Sequence, residues 1–278
     1  MPPIRKIAFI VNDEKKGAPG LVRDLMAQAR AAHVPARLTR RFPPRANFLR
    51  GVDACCVIGG DGTLLGVARE AALAKVPIIG VNCGTLGFLT TFSAEEARAS
   101  FPALLRGGFR IESRTMLKCA ADPSGRTDLA LNDVLVRTTN SRLVRLEVLA
   151  DGELVTESVC DGLIFSTATG STAYNLSAGG PIIHPSAAVI AMTPICPHTL
   201  SNRTIVFRDG VRLRVRNRTP GSSVLISMDG QRNWTVRGDE PVRISAARIR
   251  LRLAQREDYA HFSVVRAKLS WNDGLIRA

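Results

Sequence analysis

Three glycines, one carboxylate and one threonine make up the run Gly59-Gly60-Asp61-Gly62-Thr63, directly after the apolar stretch Ala54–Ile58. Glycines permit positive φ and let backbone N–H groups close around phosphate oxygens, and a helix beginning there adds its dipole to the attraction. A carboxylate in such a loop would repel a phosphate. It fits if Asp61 instead faces a hydroxyl that must lose a proton to attack. The spacing equally allows Asp61 to cap the helix that follows, with the glycines serving the turn. These residues alone leave both readings open. No Lys-Ser or Lys-Thr pair follows, so the loop is not a Walker A sequence. After Gly62 the next glycine is Gly66, which rules out GxGxxG.

A second glycine-rich stretch, "GVNCGTLGFLT" from Gly80 to Thr90, also follows an apolar strand pattern. Gly84, Gly87 and Phe88 would then form a second wall of one crevice, or an ordinary turn between strand and helix. A third stretch, Asp161 to Pro185, is dense in hydroxyls and glycines around Tyr174. That mixture suits a ribose, phosphates and a base, with a polar turn as the alternative. Asn132 and Asp133 sit inside the apolar run "ALNDVLV", a costly placement unless both find partners. A satisfied bulge, a ribose contact or a metal contact would each explain them. His33, His184 and His198 stand alone, and no HExxH, GxSxG or cysteine–histidine pattern supports a hydrolase.

The elements that must carry these residues change character along the chain. The first hundred or so residues alternate strand and helix signals. Strands are expected at Lys6–Val11, Ala54–Gly60 and Val76–Asn82, and helices at Pro19–His33 and Thr63–Ala74. Ser93 with Glu96 predicts a capping box for a helix running to about Arg106. Such alternation implies a parallel sheet covered on both faces. From Phe109 to about Arg256 short β-type segments dominate, with hairpins expected at Asp151-Gly152 and Asp229-Gly230. The run "STAYNLSAGGP" predicts a short helix ended by Gly179-Gly180-Pro181. The expected organisation is an α/β domain over 1–110, with 260–278 returning to it, and a β-rich domain over 111–259. In open α/β sheets ligands bind beyond the carboxyl ends of strands, where Gly59–Thr63 falls.

The 278 residues carry a formal charge of +14, and 32 of the 38 basic residues are arginine. "VRLRVRNR" (Val211–Arg218) and "RIRLRL" (Arg248–Leu253) alternate strictly, as half-buried strands with a solvated arginine face would. A nucleic-acid surface is not expected, since aromatic residues are only 5% and no recognition module is visible. A small polyanionic ligand is a third way to use such a charge. The six cysteines show no metal-ligand spacing and are expected as buried, reduced thiols. No signal peptide and no spanning segment is visible, so a soluble cytoplasmic protein is expected.

Together, "GGDGT", "GTLGFL", "LNDVLV", "DGLIFSTATGSTAYNLSAGGPIIHP", "MTPICPHTLSNR", "SMDGQ" and "FSVVRAKLSW" resemble the NAD kinase family, in the family's order from Gly59 to near the C-terminus. The resemblance implies a Rossmann-like N-terminal domain, a C-terminal β-sandwich and NAD bound between them. It implies transfer of the γ-phosphoryl of ATP, with a divalent metal expected to be Mg2+, to the 2′-hydroxyl of the adenosine ribose of NAD. Asp61 matches the family's proton acceptor. Gly59, Gly60, Gly62 and Thr63 match its phosphate loop, and Gly84, Gly87 and Phe88 its second glycine loop. Gly62, Asn132, Asp133, Arg142, Asp161, Gln231 and the run Thr172, Ala173, Tyr174, Asn175, Leu176, Ser177 match positions that hold the dinucleotide. The metal ligands are not identified. A homodimer or homotetramer is implied, and inorganic polyphosphate is a second donor to consider. Departures from the family pattern are Ala168 in place of a proline, Asp133 in place of a common glutamate, and Val159-Cys160 where some relatives carry an arginine. Two rivals remain: a lipid kinase sharing the GGDGT loop, and a non-catalytic nucleotide-binding regulator.

Overall fold

The computed structural model describes residues 2–85, 87–122, 125–140, 142–199 and 201–271. The chain divides into two compact units, one running to Ser113 and resuming at Leu251, the other spanning Arg114–Arg250.

In the first unit, β1 (Ile7–Val11), β2 (Ala36–Thr39), β3 (Ala54–Gly59) and β4 (Ile78–Asn82) pair in parallel in the order β4-β3-β1-β2. Every residue of β1, β3 and β4 is buried, as continuous apolar runs must be when helices cover both faces of a parallel sheet. The helices are α1 (Ala18–Ala31), α2 (Asp61–Ala74) and α3 (Ala94–Leu105), and the two-residue β5 (Phe92–Ser93) pairs with β4. Phe9, Leu21, Leu25, Ile58 and Phe101 meet in one core, with the Phe9 and Phe101 rings 5.9 Å apart. The capping box is present: Ser93 Oγ accepts from Glu96 N–H at 3.1 Å, and Glu96 Oε2 accepts from Ser93 N–H at 2.8 Å.

Two elements start two residues away from expectation. The strand expected from Val76 begins at Ile78, because Val76 N–H instead bonds Ala71 and closes the end of α2. Helix α2 begins at Asp61, two residues before the expected Thr63, so the cap position belongs to Gly60. Strand β2 had no clear sequence signal, being four residues long and only partly buried.

The second unit holds β8 (Asp133–Thr138), β11 (Gly162–Thr167), β12 (Val189–Ile195), β13 (Ile205–Arg208), β15 (Ser223–Met228) and β16 (Arg232–Arg237). They form an antiparallel sheet in the order β13-β12-β11-β8-β15-β16. A further antiparallel run joins β10 (Glu153–Cys160), β9 (Val144–Ala150), β14 (Arg212–Asn217) and the first part of β17 (Val242–Gln255). Strand β6 (Arg110–Ala121) pairs with β17 and with β7 (Arg126–Ala130). One core draws on both sets of strands, including Val134, Phe165, Leu146, Val215 and Ile244. Both hairpins turn on left-handed pairs, Asp151 and Gly152 at φ 51 and 98, Asp229 and Gly230 at φ 53 and 65. These values suit the type I′ turn that matches strand twist. A short helix, α4 (Tyr174–Ser177), follows one 3₁₀ turn at Thr169–Thr172.

The final residues of β17 leave this unit and pair in parallel with β4 of the first, Leu253 with Ile78 and Ala254 with Ile79. Helix α5 (His261–Leu269) then carries most of "FSVVRAKLSW", and residues 272–278 of the expected returning tail lie outside the described residues. The cysteine expectation needs correcting. All six are free thiols, but Cys196 is exposed on a left-handed turn and Cys83 is half-buried.

Candidate active site

The first unit places both glycine loops at the carboxyl ends of neighbouring strands, with Gly59 of β3 paired to Asn82 of β4. Gly59 is required by its neighbour: a Cβ there would lie 2.5 Å from Thr63 Oγ1. Thr63 is itself buried, and its hydroxyl accepts from Asn12 Nδ2 at 3.3 Å. Asp61 opens α2 without capping it, since no side-chain bond serves the cap. The capping alternative therefore fails, because Gly60 occupies the cap position in extended conformation.

The carboxylate of Asp61 is bound by the second glycine loop instead. Its Oδ2 accepts the Phe88 N–H at 2.8 Å. Its Oδ1 accepts Leu89 N–H at 3.2 Å, Thr90 N–H at 3.0 Å and Thr90 Oγ1–H at 2.9 Å. Thr90 Oγ1 also accepts from Asn82 Nδ2 at 2.8 Å, so its one proton is committed to Asp61. Thr90 is fully buried, and Asn82 nearly so. Gly87 must be glycine, because a Cβ there would sit 2.0 Å from Asp61 Oδ1. Gly84 carries no such constraint, its nearest contact being Asn82 Oδ1 at 3.5 Å. A carboxylate saturated on one oxygen and bonded once on the other is fixed in position, yet Oδ2 keeps a lone pair for an incoming proton.

In the second unit, Asp229 of "SMDGQ" organises the segment that carries Asn132 and Asp133. Its carboxylate accepts the N–H groups of Leu131 at 3.0 Å, Asn132 at 2.7 Å and Asp133 at 3.2 Å. That capture accompanies a break between β7 and β8, so Asn132 lies in the break and Asp133 opens β8, where one strand through both was expected. Asp229 is buried, which pushes its carboxyl up despite the three donors and the nearby Arg232 guanidinium at 4.0 Å. Asp133 is also buried, and burial together with Asp229 pushes its carboxyl up to about 7. The Asn132 carbonyl accepts from Thr167 N–H at 2.9 Å, and a Cβ on Gly170 would come within 2.1 Å of it. Gln231 is exposed on the Asp229 turn, its N–H bonded to Met228 O at 3.0 Å.

The run Thr172–Ser177 divides by burial. Tyr174 and Ser177 are exposed, and Thr172, Ala173 and Leu176 are partly covered. Asn175 is fully buried, with Nδ2 donating to Ser171 O and Pro181 O at 3.2 Å each and Oδ1 accepting from Thr193 Oγ1 at 2.7 Å. Its side chain braces the turn, unlike the ligand contact that the resemblance implied. A cleft of about 540 Å3 brings Asp161 and Tyr174 together with Arg137, Thr138 and Asn140. Arg142 does not line it; that residue is exposed, with its N–H bonded to Asn140 Oδ1 at 3.0 Å.

Sequence reasoning passed over Asn12, Lys15, Asn82, Thr90 and Asp229. Lys15 reaches the GGDGT loop, its Cε standing 4.0 Å from where a Gly60 Cβ would be. The signal available was position: Asn12, Asn82 and the loop glycines all fall at strand carboxyl ends. Among the described residues no three His, Cys, Asp or Glu side chains gather as a metal cage.

Two family models match the chain, the ATP-NAD kinase N-terminal domain over residues 11–109 and the ATP-NAD kinase C-terminal domain over 131–255. An NAD kinase of Geotalea daltonii is 38% identical over 249 residues, covering 87% of this chain and 86% of the relative. An NAD kinase of Moorella thermoacetica is 43% identical over 220 residues, covering 78% and 71%. The fold is shared with the solved structure of an NAD kinase from Archaeoglobus fulgidus in complex with ATP, with TM-score 0.80, 24% identity and 95% and 98% of the two chains covered. It is shared also with a yeast NADH kinase complexed with NADH, with TM-score 0.87, 21% identity and 99% and 90% covered.

Proposed function

This chain belongs to the NAD kinase family, and we propose that it transfers the γ-phosphoryl of ATP to the 2′-hydroxyl of the adenosine ribose of NAD. The observation that carries the reading is the Asp61 carboxylate, fixed at the start of α2 by Phe88, Leu89 and Thr90. The 2′-oxygen attacks the γ-phosphorus, a P–O bond forms, and the bond to the β–γ bridging oxygen breaks with its electron pair leaving on ADP. The hydroxyl proton passes to Asp61 Oδ2, the oxygen with one donor. Backbone N–H groups of Gly59–Thr63 and the Lys15 ammonium are the groups this unit offers to phosphates. A divalent cation, which we infer to be Mg2+, would accompany the donor phosphates. When bound it offsets phosphate charge.

On the acceptor side we assign the dinucleotide to Asn132, Asp133, Asp161, Tyr174 and their neighbours, with Gln231 and Arg142 at its margin. We read the first unit as a Rossmann-like nucleotide-binding domain and the second as a β-sandwich NAD-binding domain, in a cytoplasmic homo-oligomer. No helix among the described residues is long and apolar enough to cross a membrane. The polar lining around Asp161 suits a ribose and not an acyl chain, which disfavours a lipid acceptor. A matrix of donors (ATP, polyphosphate) against acceptors (NAD, NADH, diacylglycerol) tests the reading. NADP formed from ATP and NAD is expected, and phosphorylated diacylglycerol with no NADP would overturn it.

A further inference from the structure

Strand β14 turns Leu213 and Val215 into the core and Arg212 and Arg214 outward. Its register with β17 sets Arg214 directly opposite Arg243. Like charges directly opposite on a sheet are destabilising, so this pairing breaks a local rule. Such violations mark functional positions when nothing nearby compensates them. Arg243 has a partner, Asp122, at 2.6 Å. Arg214 has none: its side chain makes no hydrogen bond or ion pair among the described residues, and the same holds for Lys118 on β6. Arg212 stands 3.9 Å from Asp151 with its side chain 88% exposed, and Asp151 is already engaged by Arg208 at 3.1 Å.

These groups line one concavity of about 580 Å3 with Leu149 at its side. The lining holds four cations, Lys118, Arg212, Arg214 and Arg243, and one anion, Asp151; Arg243 is paired outside it with Asp122, and Lys118 and Arg214 have no ion-pair partner among the described residues. The lining shares no residue with the Asp161–Tyr174 cleft and none with the glycine loops. We propose that this concavity is a second anion site, separate from the phosphoryl-transfer residues, for a small ligand carrying two or more phosphate groups. Guanidinium forks bind phosphate oxygens in pairs, and a multivalent anion removes the repulsion between Arg214 and Arg243. A volume of about 580 Å3 is that of a small-molecule site. The lining has no aromatic side chain on which bases would stack, which sets single-stranded nucleic acid aside.

The test uses the full chain and inorganic pyrophosphate as probe, with calorimetric titration and thermal melts on the wild type, the double variant Lys118→Gln/Arg214→Gln, and Arg214→Lys. Without ligand, the double variant should melt no lower than the wild type, because a repulsion has been removed. Pyrophosphate should bind the wild type and raise its melting temperature. The double variant should bind at least about tenfold more weakly, the loss expected when ~1.4 kcal/mol of contact is removed. Arg214→Lys, which keeps the charge and loses the fork, should fall between them. Turnover with ATP and NAD should stay unchanged in all three. A parallel ADP titration assigns the source of the phosphates. Loss of one ADP-binding event in the double variant indicates a nucleotide ligand, and unchanged ADP binding an inorganic one. Equal pyrophosphate affinity in wild type and double variant would overturn the proposal. So would loss of turnover in step with loss of binding, or oligonucleotide binding at these residues with no response to pyrophosphate.

Discussion

Replacing Asp61 by asparagine separates its hydrogen-bonded position from the proton-accepting role proposed for it. Asparagine keeps one oxygen, which can occupy the Oδ1 position and accept from Leu89, Thr90 N–H and Thr90 Oγ1–H. Its NH2 group then replaces Oδ2 and points at the Phe88 N–H, donor against donor, where the carboxylate had made a 2.8 Å bond. An N–H left unpaired costs about 1–3 kcal/mol, and the remaining three bonds lose their charge assistance, for a total of roughly 2–5 kcal/mol. At roughly 2–4 °C per kcal/mol the melting temperature should drop on the order of 5–15 °C. Capping alone would have left it unchanged, since asparagine caps as well as aspartate. Turnover should fall by about 10² to 10⁴-fold, because the amide cannot take the 2′-hydroxyl proton. The assay is NADP formation under saturating ATP and NAD at a temperature where the variant remains folded by circular dichroism, with NAD affinity measured separately and expected to change little. Near-normal turnover would show that the proton goes elsewhere. An unchanged melting temperature would show that the bonds to Phe88–Thr90 do not hold the loop.

Thr90→Val removes the hydroxyl that links Asn82 to Asp61; turnover should fall roughly tenfold, the worth of about 1.4 kcal/mol, whereas Thr90→Ser, which keeps the hydroxyl, should retain most of it. Asp133→Asn should change how stability varies with pH. Burial and Asp229 hold the Asp133 carboxyl up to about 7 in the fold, above an unfolded value of about 4. Its contribution is therefore complete below the unfolded value and is lost as pH rises through about 7. Denaturant titrations should show wild-type stability declining across that window, with the variant curve flatter and higher at alkaline pH; parallel curves would refute the shift. Tyr174→Ala should raise the Michaelis constant for NAD more than it lowers turnover, since Tyr174 is exposed in the Asp161 cleft and, as a proposed dinucleotide contact, would act on bound substrate and transition state alike. Steady-state kinetics with varied NAD decide this.

Local chemistry made much of this protein legible in its sequence. The runs "IAFIV" and "ACCVIG", and "IIGV" ahead of Asn82, present no polar face and so had to be covered on both sides. Ser93 and Glu96 specify a helix start from three residues' separation, and Asp-Gly pairs specify turns whose left-handed geometry few other pairs accept. Glycine loops at strand ends marked the candidate site in the sequence, because the backbone preferences of glycine act within a few residues. What the sequence left open was every relation between distant residues. Whether Asp61 capped its own helix or bonded a distant loop depended on Phe88, Leu89 and Thr90, up to 29 positions away. Whether one strand ran through Asn132 and Asp133 or broke before Asp133 depended on Asp229, nearly a hundred residues on. The arginine stripe read as a solvated face until register set Arg214 against Arg243. A hydrogen bond or a charge pair is decided over about 3 Å of space, and only tertiary packing converts separation along the chain into distances of that size.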